Sequence, residues 1–220
     1  MYSVDKYSLE LNKRIEGIFL NHPEWKDTHN KNPWLTGFLG NPFSNIWFVG
    51  ENPSLRPVET ATKNHPIINS DNQWNISRGD KLFRQALLKS ELITGSLETP
   101  KEWHCYVTDI IKDADYANKW RKKPWCERCL IADIWEPVLK WELQTSEPKI
   151  IVAMGNQVMR LLTYLQKHKG LNLNHIEFVH HYSYIAFWPD TKRKLGPMNE
   201  QRIGEYYLEI ERVAKIARSC

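Results

Sequence analysis

The chain has 220 residues, 25% of them charged and 41% hydrophobic, with a net charge of +4. That balance is ordinary for a soluble globular protein. The length suits one domain over residues 1–220, able to bury about 70% of its unfolded surface without staples. No apolar run approaches the ~20 residues that cross a bilayer. Met1 to Lys6 lacks the basic start and apolar core of a signal peptide, so a cytoplasmic protein is expected, nucleoid-associated or nuclear according to the cell.

In chain order, Leu9 to Leu20 carries apolar residues at helical spacing and ends at Asn21-His22-Pro23. Trp34 to Ser44 is rich in Gly, Pro and Asn and reads as a loop. Ile46 to Val49 is a short, fully buried strand that stops at Gly50 and delivers Glu51, Asn52, Pro53 and Ser54. Asn-Pro also initiates ordinary turns. Leu55 to Ser77 is long and polar, and connections of that kind are often functional. A helix is predicted from Asp80 to Leu92, then a strand within Trp103 to Ile111 that ends on Thr108 and Asp109. A basic loop leads to a helix over Cys126 to Leu143. Lys149 to Met154 is the clearest strand, and Asn156-Gln157 open the helix after it. Ile176 to Val179 is a fourth strand, ending at His180-His181-Tyr182-Ser183. A loop with Tyr184, Phe187 and Trp188 precedes a terminal helix over Asn199 to Arg218.

Strands alternating with helices imply right-handed crossovers. The expected fold is a three-layer α/β/α domain around a four-stranded parallel sheet. In such a sheet the carboxyl ends of the strands share one edge, where ligands bind. Glu51 and Asn52, Thr108 and Asp109, Asn156 and Gln157, and His181 and Ser183 all fall there. There is no serine elbow and no phosphate-cradling glycine loop, so hydrolysis or group transfer without a covalent enzyme nucleophile is expected.

Val-Gly-Glu-Asn-Pro-Ser (Val49 to Ser54), Trp-Asn-Ile-Ser-Arg-Gly-Asp-Lys-Leu (Trp74 to Leu82), Tyr-Val-Thr-Asp-Ile-Ile-Lys (Tyr106 to Lys112), Ile-Ile-Val-Ala-Met-Gly (Ile150 to Gly155) and His-Tyr-Ser (His181 to Ser183) follow one another in a recognisable order. Over residues 37 to 183 this pattern resembles the uracil-DNA glycosylase superfamily. Asn52 stands where the mismatch-specific and single-strand-selective branches carry a catalytic asparagine. Glu51 stands where the iron–sulfur branches carry a glutamate. The chain departs from the pattern at Ser54 for Gly, Tyr182 for Pro and Asp109 for the base-reading Asn. Its cysteines, Cys105, Cys126, Cys129 and Cys220, lack the cluster spacing, so no cofactor and no metal is expected.

The resemblance implies a DNA glycosylase acting in base excision on a uracil or another damaged or modified base flipped from the stack. Asn52 or Glu51 would hold the attacking water and His181 would stabilise the departing base. Gly50, Trp74 and Asp109 would bind the base. Ser54, Asn156 and Ser183 would contact phosphates, Tyr184 and Trp188 would wedge into the duplex, and Lys112, Lys192 and Arg193 would carry phosphate charge, as would Lys119 to Lys123. The expected partner is DNA bearing such a base, the expected state a monomer, with no membrane. An ionised Asp109 can only accept hydrogen bonds, which favours an amino-bearing base over uracil; burial would instead keep it protonated, a donor to the uracil oxygen.

Each residue also has a structural reading: His181 as a core histidine, Trp74 as packing, Asp109 as a helix cap. A non-catalytic nucleic-acid-binding protein on this fold is one alternative. Zinc-dependent deamination is another, since His22-Pro23-Glu24 and Pro124-Trp125-Cys126-x-x-Cys129 approximate its ligand boxes, although they lie roughly 100 residues apart.

Overall fold

Every residue from Ile46 to Gly50 is apolar or glycine, and every one is buried. Such a strand has no solvent face and must lie inside a sheet covered on both sides. A computed structural model of the chain, describing residues 3–25, 39–55, 77–97, 99–173, 175–187 and 199–219, shows this. In chain order the elements are α1 (Val4–Asn21), a short 3-10 turn (Pro23–Trp25), β1 (Leu39–Gly40), β2 (Ile46–Gly50), α2 (Arg78–Lys89), β3 (Ile93–Gly95), β4 (Pro100–Trp103) and β5 (Tyr106–Asp109). They continue with α3 (Ala117–Trp120), α4 (Trp125–Ser146), β6 (Ile150–Met154), α5 (Asn156–Lys169), β7 (Ile176–Val179), α6 (Tyr182–Phe187) and α7 (Glu200–Ser219).

The central sheet has the order β1-β5-β2-β6-β7. The four expected strands are all present and mutually parallel. A fifth, β1, pairs antiparallel with β5 at one edge. Only two residues long, it carries too little pattern to be read from sequence. The stretch Trp103 to Ile111, expected as one strand, is divided. Pro100–Trp103 forms a hairpin with Ile93–Gly95, and only Tyr106–Asp109 joins the central sheet.

Alternate residues of the strands face opposite layers. Trp47, Val49, Tyr106, Ile151 and Ala153 pack with α1, α4 and α5 through Leu11, Trp135, Leu139 and Leu161. Ile46, Phe48, Val107, Val152 and Met154 pack with α2, α6 and α7 through Phe83, Leu87, Ile185 and Tyr206. The three layers are therefore α/β/α. Among the described residues no helix is long and apolar enough to cross a membrane.

Local chemistry fixes the helix that leads into the site. The Ser77 hydroxyl accepts from the Asp80 N–H at 3.0 Å, and the Asp80 carboxylate accepts from the Ser77 N–H at 2.9 Å. This reciprocal cap starts α2 at Arg78. The loop expected to carry Tyr184 is instead the short helix α6, begun by the Tyr184 N–H donating to the His181 carbonyl at 2.9 Å.

Candidate active site

The register Gly50↔Asp109 sets the ends of β2 and β5 side by side. A Cβ on Gly50 would stand 2.1 Å from Asp109 Oδ1. Any side chain there would displace the carboxyl, which lies against the strand end. Beyond the strands the two chain segments remain paired. The Ile110 N–H donates to Gly50 O and the Ile111 N–H to Glu51 O, both at 3.0 Å. Asp115 N–H donates to Pro53 O at 3.2 Å, and Ser54 bridges to Asp115. Glu51 to Ser54 is thus held by backbone hydrogen bonds as well as by the rigidity of Pro53.

Asn52 is half-buried. Its Nδ2 reaches the carbonyls of Pro53 (3.4 Å) and Asp113 (3.5 Å). Both neighbours are acceptors, so the amide nitrogen must face them and Oδ1 remains as the acceptor that can hold a water. Glu51 is engaged differently. Arg128 Nη1 donates to its two oxygens at 3.0 and 3.4 Å. The same guanidinium donates to the carbonyls of Trp120 (3.1 Å) and Lys123 (3.3 Å), tying the basic loop to the strand end. Of the two candidates for the water, Asn52 is therefore the available one.

The opposite wall comes from β6 and β7. Gly155 has φ +98°, a left-handed conformation natural to glycine, and a Cβ there would lie 3.2 Å from His181 Cβ. His181 Nδ1 accepts from the Ser183 N–H at 3.2 Å and pairs with Ser183 Oγ at 2.7 Å. A backbone N–H can only donate, so a neutral His181 carries its proton on Nε2. Burial first, and the charge of Arg121 second, lower its pKa to about 4. The imidazole is a neutral Nε2–H donor at ordinary pH. Ser183, expected on a phosphate, has its hydroxyl on this ring. His180 is bound by Glu209 through its ring and its backbone N–H (2.6 and 2.8 Å), a structural role.

Tyr182 continues the wall. It stacks on Phe83 (centroids 5.3 Å, interplanar angle 13°) and on His181 (4.4 Å, 29°). Its ring crosses α2 where a Cβ on Gly79 would be 2.9 Å away. Tyr182, which stands where the resembled pattern carries proline, joins Phe83 and His181 in an aromatic column.

Asp109 completes the set. It is partly buried, and among the described residues its carboxyl oxygens accept no protein hydrogen bond. Its pKa is pushed up to about 7, chiefly by burial. The positive charge of Lys112 opposes the shift, and the negative charges of Glu142 and Glu51 reinforce it.

Asn156 is exposed at the first position of α5, and Tyr184 is exposed on α6 against His180. Trp74, Trp188, Lys192 and Arg193 lie outside the described residues. Lys112 is a correction. It is completely buried: its Nζ lies 2.7 Å from Glu142 Oε2 and donates to the Asp109 carbonyl at 2.7 Å and to the Thr108 hydroxyl. Its position four residues beyond a buried threonine turns it under the sheet edge, away from any phosphate. Lys112→Met is expected to leave Glu142 uncompensated and to lower stability by about 3–5 kcal/mol, read as a fall in the denaturant midpoint.

Two participants were not foreseen. Arg128 sits between Cys126 and Cys129, where the cysteine spacing drew the attention that its own charge merited. Glu142 sits in the apolar face of α4, and a lone carboxylate at a core-facing helical position was its signal. His22, Glu24, Cys126 and Cys129 do not converge. Cys126 is exposed, Cys129 is buried, His22 pairs with Glu24, and no metal-binding group forms among the described residues.

A family model of the uracil DNA glycosylase superfamily matches residues 38–201, about three quarters of the chain. The chain belongs to the uracil DNA glycosylase superfamily. No curated protein matches it in sequence. Members of this superfamily are generally DNA glycosylases, hydrolases that act on DNA. The matched span contains the whole central sheet and α2 to α6. Within this superfamily member, Gly50, Asn52, Asp109, Gly155 and His181 stand together at the carboxyl edge of the sheet.

Proposed function

We propose that the chain hydrolyses the N-glycosidic bond of a damaged or modified base rotated out of DNA into the sheet-edge site. The observation that carries this reading is the pairing of an acceptor amide at Asn52 with a neutral Nε2–H donor at His181 on one edge. Asn52 Oδ1 orients a water toward the sugar C1′. The water oxygen forms the new bond to C1′ as the glycosidic bond breaks. The bonding electrons leave with the base, and the His181 N–H stabilises the charge that develops there. The water proton passes to solvent or to the departing base. No covalent enzyme intermediate is needed. Asp109 reads the base edge.

The test is base release from a panel of oligonucleotides carrying uracil and amino-bearing or otherwise modified bases. Release of at least one base is expected. Tight binding across the panel with no release would instead favour a DNA-binding protein without catalysis.

Phosphate contact is assigned to Lys119, Arg121 and Lys122, exposed on α3 and the turn after it, which Arg128 ties to Glu51. Replacing all three with alanine should reduce the slope of log affinity against log salt by about 0.9 for each phosphate no longer neutralised. An unchanged slope in a salt titration would assign these residues to solvation alone. Lys112→Met, by contrast, should leave the slope unaltered.

A further inference from the structure

Beneath the site lies a polar cluster that the hydrolytic steps do not use. Lys112 and Glu142 are each fully buried and 2.7 Å apart. Glu142 Oε1 accepts from Tyr106 OH and Thr108 Oγ1 at 3.2 Å and from Tyr7 OH at 3.3 Å. Lys112 in turn grips the backbone carbonyl of Asp109 at 2.7 Å. The cluster joins α1, α4 and the β5 end directly behind Asp109. A buried ion pair is a poor source of stability compared with apolar packing of the same volume, and its best-attested use is to specify one arrangement or to act as a switch.

We propose that the Lys112–Glu142 pair determines which base is accepted, by setting whether Asp109 meets the base edge as a hydrogen-bond donor or as an acceptor. This rests on the reading of Asp109 as the base reader. The charged and titratable groups facing Asp109 are Glu51 from the β2 end, Lys112 from its own segment, Glu142 from α4 and Tyr182 from α6. Glu51 already has Arg128 as a counter-charge. The pair below is therefore the remaining lever. Lys112 favours the ionised carboxylate, an acceptor suited to an exocyclic amino group. Glu142 favours the protonated acid, a donor suited to the uracil carbonyl.

The test uses the full chain and Glu142→Gln, which keeps the hydrogen-bonding shape and removes the charge. The Asp109 titration midpoint is followed by carbon-13 NMR. Release of uracil and of an amino-bearing base is measured on the same proteins at pH 7. Glu142→Gln should lower the midpoint by at least about one pH unit. From a midpoint near 7, that shift reduces the protonated fraction at pH 7 about five-fold and lowers the uracil-to-amino-base ratio by at least the same factor. The variant Lys112→Met/Glu142→Gln removes both charges and leaves no unpaired ion, which guards against loss of folding. Because Lys112 acts on Asp109 more strongly than Glu142 does, the double variant should move midpoint and ratio the opposite way. An unmoved midpoint, or a moved midpoint with an unmoved ratio, overturns the proposal while base release itself stands. A moved midpoint with no release of any base from the wild type overturns the glycosylase reading, and the role of the pair in base choice with it.

Discussion

Asn52→Ala and His181→Ala are each expected to lower the rate of base release by about 100- to 1000-fold, the usual loss when one preorganised hydrogen-bonding group is removed from a developing charge. Neither change should unfold the protein. Among the described residues Asn52 contributes two long hydrogen bonds, to Pro53 O and Asp113 O, and the same segment is held independently by backbone pairing with residues 110–115. His181→Ala removes the ring's contacts with Ser183 and Tyr182, but the segment is still held by backbone hydrogen bonds from Gly155 N–H to Val179 O and from Tyr184 N–H to His181 O. Single-turnover assays with excess enzyme would measure the step directly. Full activity in both folded variants would remove these residues from the chemistry. Glu51→Gln should cost much less than Asn52→Ala, since Glu51 is occupied by Arg128.

The second large effect is a pH dependence that follows from Asp109. With its pKa near 7, the carboxyl is mainly protonated at pH 6 and mainly ionised at pH 8. Release of uracil should therefore fall about ten-fold between those values, while release of an amino-bearing base rises by a similar factor. His181 does not blur this profile, because with a pKa near 4 it stays neutral throughout. Asp109→Asn replaces the titrating acid with a fixed donor and acceptor, so its profile for uracil should be flat and higher at pH 8. A wild-type profile identical to that of Asp109→Asn would show that Asp109 does not read the base.

The same two groups bear on stability with opposite signs. The folded-state pKa of Asp109 is raised above the unfolded value near 3.9. Its contribution is complete below about pH 4 and is lost as the pH rises through about 7. The pKa of His181 is depressed from near 6.5. Its contribution is present above that value and is lost as the pH falls through about 4.

Much of this was legible in the chain. Ile46 to Val49 and Ile150 to Met154 declare themselves as strands because both faces of a parallel sheet are buried, which forces continuous apolar runs; Ile176 to Val179, at the sheet edge, carries Glu177 and buries only Val179. Their polar successors, Asn52, Asn156 and His181, then had to share an edge, since parallel strands expose their carboxyl ends together. The order of motifs also nominated Asp109 as the base reader and posed its two protonation states.

What the chain alone could not decide was the state of that carboxyl, or the fate of the charges around it. Lys112 lies in the sequence beside other polar residues, and read as a surface cation it fits a phosphate. In the fold it turns inward to Glu142, thirty residues away and on another layer. Arg128 likewise closes on Glu51 across 77 positions. Periodicity reports which side of an element is wet, because burial repeats along a helix or strand. Ion pairs and pKa values depend on distances between elements distant in sequence, and only the packing of α4 against the sheet brings those groups within reach.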